Sequence, residues 1–180
     1  MDLRIQKTKN NIFNAYIELR EKKPIEKITV KELTDKAQIS KQTFYLHYKD
    51  IYDLTEQIEQ ELIADIMKDV EYPENVLESL SAIAFDIFNR ALALGQPFKT
   101  LFSGSRTGIL TSGIESGVKA AIYKQHPELR ADLKTNIYIT YLVHGCYNAY
   151  QQYKTIDQER VVKIITDITN IVNNSYKGKY

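Results

Sequence analysis

Only one cysteine, Cys146, occurs in the 180 residues. No disulfide can close within the chain, which fits a reducing cytoplasm. One thiol and three widely separated histidines, His47, His126 and His144, offer no spacing that gathers a metal ion. Neither a metal nor a cofactor is expected. Glycine and proline are scarce, at 7 and 4. The chain has no glycine-rich phosphate loop and no nucleophile elbow. An enzyme needs a convergent acid, base or nucleophile cluster, and none is legible, so no catalytic residue is expected. No run reaches the ~18 consecutive apolar residues of a membrane span. The opening MDLRIQKTKNNIFN lacks the apolar stretch of a signal peptide. The expectation is a cytoplasmic protein with no membrane partner.

Net charge is also small, at +1, so the chain as a whole is no polycation. Its distribution is uneven. Residues 1–50 hold 11 Lys/Arg against 7 Asp/Glu, and residues 51–180 hold 13 against 16. A basic N-terminal module ahead of a slightly acidic remainder suits local contact with phosphates.

What is present is helical periodicity. Apolar residues make up 43% of the chain, enough for one ordinary core or a small module joined to a larger one. The fold expected is all-α with about nine helices. Ile5, Ile12, Phe13, Tyr16 and Ile17 form the buried stripe of a first helix that Pro24 stops. Leu54, Ile58, Leu62 and Ile66 recur every four residues after a cap at Asp50. A broad apolar face follows over 74–94, closed by Gly95-Gln96-Pro97. A short helix is expected around Phe98 to Phe102. A longer one runs from Thr107 to Tyr123, weakened by Gly108, Gly113 and Gly117. Two further helices cover about 127–153 and the stretch from Asp157, with a frayed tail from Ser175.

The stretch Ile28 to Leu54, ITVKELTDKAQISKQTFYLHYKDIYDL, is the chemical clue. Thr29 with Glu32 reads as a capping box, and Val30, Leu33 and Ala37 share one face. Gln38-Ile39-Ser40 is a tight turn with Ser40 as the next N-cap. On the short helix that follows, only Phe44 and Tyr48 need burial. Lys41, Gln42, Thr43, Tyr45 and His47 are left facing out. Such side chains reach phosphates and base edges, and glutamine can pair adenine in a bidentate way. A second helix docked by a tight turn is how a helix-turn-helix enters the major groove. A surface helix pair in any all-α protein would read the same way.

The stretch resembles the DNA-binding signature of the TetR family of bacterial transcriptional regulators. Thr29, Val30, Leu33, Ala37, Ile39, Ser40, Thr43, Phe44, Tyr45, His47, Tyr48 and Leu54 stand at matching places or carry close substitutes. The match covers about the first third of the chain. Two positions depart: the family's turn glycine is Gln38 here, and the lysine that usually follows the recognition helix is Ile51. The resemblance implies a helix-turn-helix domain over 1–48, with the motif itself at about 29–48, and a helical ligand-binding and dimerisation domain over 49–180. It implies contacts to double-stranded DNA from Thr29, Lys41, Gln42, Thr43, Tyr45, His47 and Lys49. The function implied is a homodimeric repressor that a small-molecule effector releases from a near-palindromic operator. A minority mode is an activator or coactivator of the kind that controls dihydroxyacetone kinase operons. This alternative is ligand-responsive too, and one form of it acts through protein contacts without DNA binding of its own.

Two expectations concern the larger part. Apolar stripes over 127–153 and beyond Asp157 suggest a dimer interface carrying Leu142, Cys146, Ala149, Ile164 and Ile168. The wide apolar face of 74–94 and the weakened 107–123 helix suggest an effector cavity lined by Phe88, Phe102, Tyr123 and Tyr141. Its occupant would be small and mostly apolar or aromatic, and not a nucleotide or polyanion. The tyrosines of 138–153 and His144 also admit plain core packing.

Overall fold

Every regular element among the described residues is a helix, in a computed structural model that describes residues 3–177. In chain order these are α1 (Leu3–Arg20), α2 (Val30–Ala37), α3 (Lys41–Tyr45), α4 (Ile51–Met67), α5 (Val76–Ala93), α6 (Gly95–Leu101) and α7 (Thr107–Gln125). Then come α8 (Leu133–Thr140), a π-helical turn (Tyr141–Gly145) and α9 (Cys146–Tyr153), which form one continuous run, and α10 (Gln158–Lys177). With α8 to α9 taken as one, the described residues hold nine α-helices, as the periodicity indicates. No helix among them is long and apolar enough to cross a membrane. Ser175 to Lys177 form the end of α10, and the rest of the expected frayed tail, 178–180, lies outside the described residues.

The chain divides into two units, as far as its residues are described. One is Met1–Leu62 with Gly95–Arg106, the other Ile63–Leu94 with Thr107–Tyr180. The division falls inside α4, not at 48/49, and the first unit takes in α6 from later in the chain. The reason is apolar and ionic together. Phe98, Leu101 and Phe102 are buried, and Arg106 makes a two-pronged ion pair with Glu59 of α4. The rest of this unit's core is Ile12 and Tyr16 of α1, Leu33 of α2, Phe44 of α3, and Leu54 and Ile58 of α4. The Tyr16 hydroxyl donates to Thr55 Oγ1 at 2.6 Å, and Thr55 donates to the Ile51 carbonyl. That leaves no polar atom of this buried pair unmet.

In the second unit, α5, α7, the α8–α9 run and α10 bury Leu80, Ile83, Ile87, Leu110, Ile114, Ile139, Leu142 and Tyr150. Two of the weak points of α7 prove to be close approaches. A Cβ at Gly113 would lie 2.6 Å from Ile63 Cδ1, and one at Gly117 3.2 Å from Met67 Cε. Gly108 has open space beside it.

Candidate functional site

Local bonding explains how α3 is held. The Thr29 hydroxyl accepts from the Glu32 N–H at 3.2 Å and starts α2. The Glu32 carboxylate meets the Lys23 ammonium instead of closing the box back onto Thr29. Gln38 ends α2 in the left-handed region, at φ 56° and ψ 46°. Its N–H donates to the Asp35 carbonyl and the Ile39 N–H to Thr34, the paired bonds that close a helix C-terminus. Ser40 then caps α3, accepting from the Thr43 N–H at 3.0 Å. A left-handed residue and two caps within twelve positions turn the chain sharply and fix α3 on α2.

Phe44 is fully buried and Tyr48 nearly so, at 0% and 6% exposure. Lys41, Gln42 and Tyr45 are exposed on the opposite side, and His47 and Thr43 are half-buried. Thr43 Oγ1 shares a hydrogen bond with Ser40 Oγ at 2.9 Å, so its methyl is the more available part. Tyr45 packs edge-on against Phe44. Leu46, which the sequence reading passed over, is 75% exposed at the end of the same helix. Lys49 is exposed, but its N–H is taken by Asp53 Oδ2 at 2.8 Å, while Asp50 caps the Asp53 N–H. The Lys49 hydrogen bond holds the Asp53 carboxyl below its usual range. At the position where the resemblance would place a lysine, Ile51 is buried at 5% exposure.

In the second unit a cavity of about 290 Å³ opens among α5, α7, the α8–α9 run and α10. Of the four residues expected to line one, Phe88 does. Phe102 is buried in the first unit. Tyr123 donates to Asn136 Oδ1 instead. Tyr141 points outward, 51% exposed. The lining that sequence reasoning missed comes mostly from aliphatic positions such as Leu110, Ile114 and Ile139, and from α10. No lining residue is charged.

The π-turn decides which residues of 133–153 face in. Leu142 is 2% exposed and Cys146 lines the cavity, so these two expected interface residues face the interior. Ala149 is half-buried. The outward large apolar positions are Leu133, Ile137, Tyr141 and Tyr153, at 71, 59, 51 and 48% exposure. On α10, Ile164, Ile168 and Ile171 face out at 45, 49 and 66%.

The π-turn is tied to α7 by a polar cluster. Glu115 accepts from Lys119 Nζ at 2.6 Å and from Thr140 Oγ1 at 2.5 Å, and its other oxygen meets His144 Nε2 at 2.8 Å. Burial alone would raise the Glu115 pKa, but the bonds from Lys119, Thr140 and His144 outweigh it and hold it at about 2. His144 therefore has a structural partner and is not among the cavity's lining residues. Among the described residues no group of three or more His, Cys, Asp and Glu side chains is placed to hold a metal ion.

No family model, no curated protein and no solved structure matches this chain, so its assignment rests on the chain's own residues.

Proposed function

We propose that this protein is a sequence-specific DNA-binding transcriptional regulator of the TetR type, acting as a homodimeric repressor. The observation that carries the reading is α3. It is a short helix set by a left-handed turn and an N-cap, with Phe44 buried and Lys41, Gln42 and Tyr45 presented to solvent. A helix so mounted can enter a major groove, with Gln42 reading a base edge and the Thr43 methyl meeting thymine. Lys41 and Lys49 supply charge for phosphates, and Thr29, Tyr45 and His47 flank them. With Ile51 where the resemblance places a lysine, one phosphate contact is missing, so Lys41 carries a larger share of the electrostatic term.

Two copies would join through the outward stripes of Ile137 and Tyr141 and of Ile164, Ile168 and Ile171. Exposed apolar rows on adjoining helices are what a second copy covers. A dimer doubles the reading helices and so fits two half-sites of a near-palindrome. The cavity of the second unit would take the signal, its occupant favouring one conformer of the dimer.

A second reading is a coactivator that works through protein contacts. It draws on the buried Ile51, on the Asp50 and Asp53 carboxylates beside Lys49, and on Leu46, exposed at 75% where a protein partner could cover it. A mobility-shift assay with DNA from upstream of the protein's own gene separates the two. A discrete shift that resists excess random DNA supports the regulator; no shift at low salt favours the coactivator.

A further inference from the structure

The cavity of the second unit has a mixed lining. Much of it is buried hydrocarbon, as at Leu110, Ile114, Ile139 and Leu142. Its polar side chains lie on α5, α7 and α10: Ser81, Thr111, Thr166, Thr169 and Asn170. Three of these hydroxyls already donate to their own helices. Thr111 gives its proton to the Gly108 carbonyl, Thr166 to Val162 and Thr169 to Ile165. Their remaining capacity is as acceptors, and Thr169 Oγ1 already meets the Cys146 thiol at 3.4 Å.

One side of the cavity adjoins the surface between α5 and α10. Phe85 of α5, 41% exposed, lines the cavity together with Val162 and Thr166 of α10. The same three residues line a shallow groove on the surface between α5 and α10. Ionisable side chains along that groove are Glu159, Lys163 and Asp167, two acids to one base. An anionic group there would meet a net negative rim, and inside it would meet no cation. Burying an unpaired charge among hydrocarbon is strongly unfavourable.

We infer that this cavity binds an uncharged, largely hydrocarbon molecule carrying a hydroxyl or N–H donor, and that it enters between α5 and α10 past Phe85. The apolar part lies against α7 and the α8–α9 run, and the donor meets a threonine oxygen or Asn170. This deepens the regulator reading by giving the chemistry of its effector. It is tested without DNA, so failure to bind the ligand and failure to bind an operator are separate results.

Phenylnaphthylamine and anilinonaphthalene sulfonate make a matched probe pair. They share one ring skeleton and one N–H, and differ by a sulfonate. Cys146 lines the cavity and is the chain's one cysteine, so its alkylation reports on occupancy. The full chain should bind the neutral probe with fluorescence enhancement, at least ~10-fold more tightly than the sulfonate, because only the sulfonate must bring a charge to the site. The neutral probe should also slow alkylation of Cys146 by N-ethylmaleimide, read by mass. Ala84→Leu, which puts an isobutyl group into the lining, should weaken the neutral probe. The thiol measurement on the unaltered chain stands even if that variant folds poorly. Equal or tighter binding of the sulfonate would overturn the inference, and so would binding of the neutral probe that leaves Cys146 alkylation unchanged.

Discussion

The ion pair between Glu59 and Arg106 is what anchors the end of the 95–106 segment, and removing one side of it is a sharp test of the first unit. The Glu59 side chain is 2% exposed and that of Arg106 18%. The guanidinium meets the carboxylate in a fork, Nε to Oε1 at 2.9 Å and Nη2 to Oε2 at 2.5 Å. Arg106→Leu leaves a carboxylate buried without its partner, a loss of about 3–5 kcal/mol. Glu59→Gln is milder, about 1–3 kcal/mol, because the arginine retains access to water and the amide still accepts a hydrogen bond. Removing both charges, in Glu59→Gln with Arg106→Leu, should cost less than Arg106→Leu alone, since no orphan charge remains. Urea unfolding of the four proteins gives the cycle. Lys9→Ala is the control: its pair with Glu61 is 3.5 Å long, with side chains 34% and 68% exposed, and should be worth less than ~1 kcal/mol. If Arg106→Leu costs no more than Lys9→Ala, or if the two single losses simply add, the pair does not hold the segment as argued.

Other outcomes follow from the same geometry. Gln38→Gly should stabilise the protein by about 0.5–1 kcal/mol in thermal unfolding, because a left-handed φ strains any side chain more than glycine. Glu115 has its pKa lowered from 4.5 to about 2 in the folded chain. Its contribution is therefore present above pH 4.5 and lost as pH falls toward 2. The stability gap between the unaltered protein and Glu115→Gln should be constant near neutrality and shrink steadily below that upper value; a gap that widens on acidification contradicts the cluster. Ile137→Lys and Ile168→Lys alter exposed positions and should leave each chain folded but monomeric in sedimentation. A dimer that survives both changes would place the interface elsewhere.

The first unit was the more legible part because its signals are local. Thr29, Ser40 and Asp50 are caps that act within three residues, and each makes the bond its spacing implies. Gln38 occupies a position that resemblance marks as a glycine, and its positive φ explains why. The α6 segment was not legible as part of this unit. Its burial depends on Glu59, 47 residues from Arg106, and no local pattern carries that distance. The apolar stripe expected over 127–153 shifted for another physical reason. A π-turn inserts an extra residue and shifts every later side chain around the helix. Past it, Tyr147 and Tyr150 are buried, while Ala149 and Tyr153, which a regular period would place inside, are not. The glycines at 113 and 117 were open to several readings. They admit the side chains of Ile63 and Met67.

If α3 reads DNA sequence, Gln42 is the residue whose loss shows it most directly. Fluorescence anisotropy can follow the purified protein and Gln42→Ala on two duplexes at one salt concentration. One is the preferred sequence selected from DNA upstream of its gene, the other a random duplex of equal length. Gln42→Ala should lose about 1–3 kcal/mol on the preferred sequence through one bidentate base contact, and keep its affinity for random DNA. Equal losses on both duplexes, or no loss on either, would contradict sequence reading by α3.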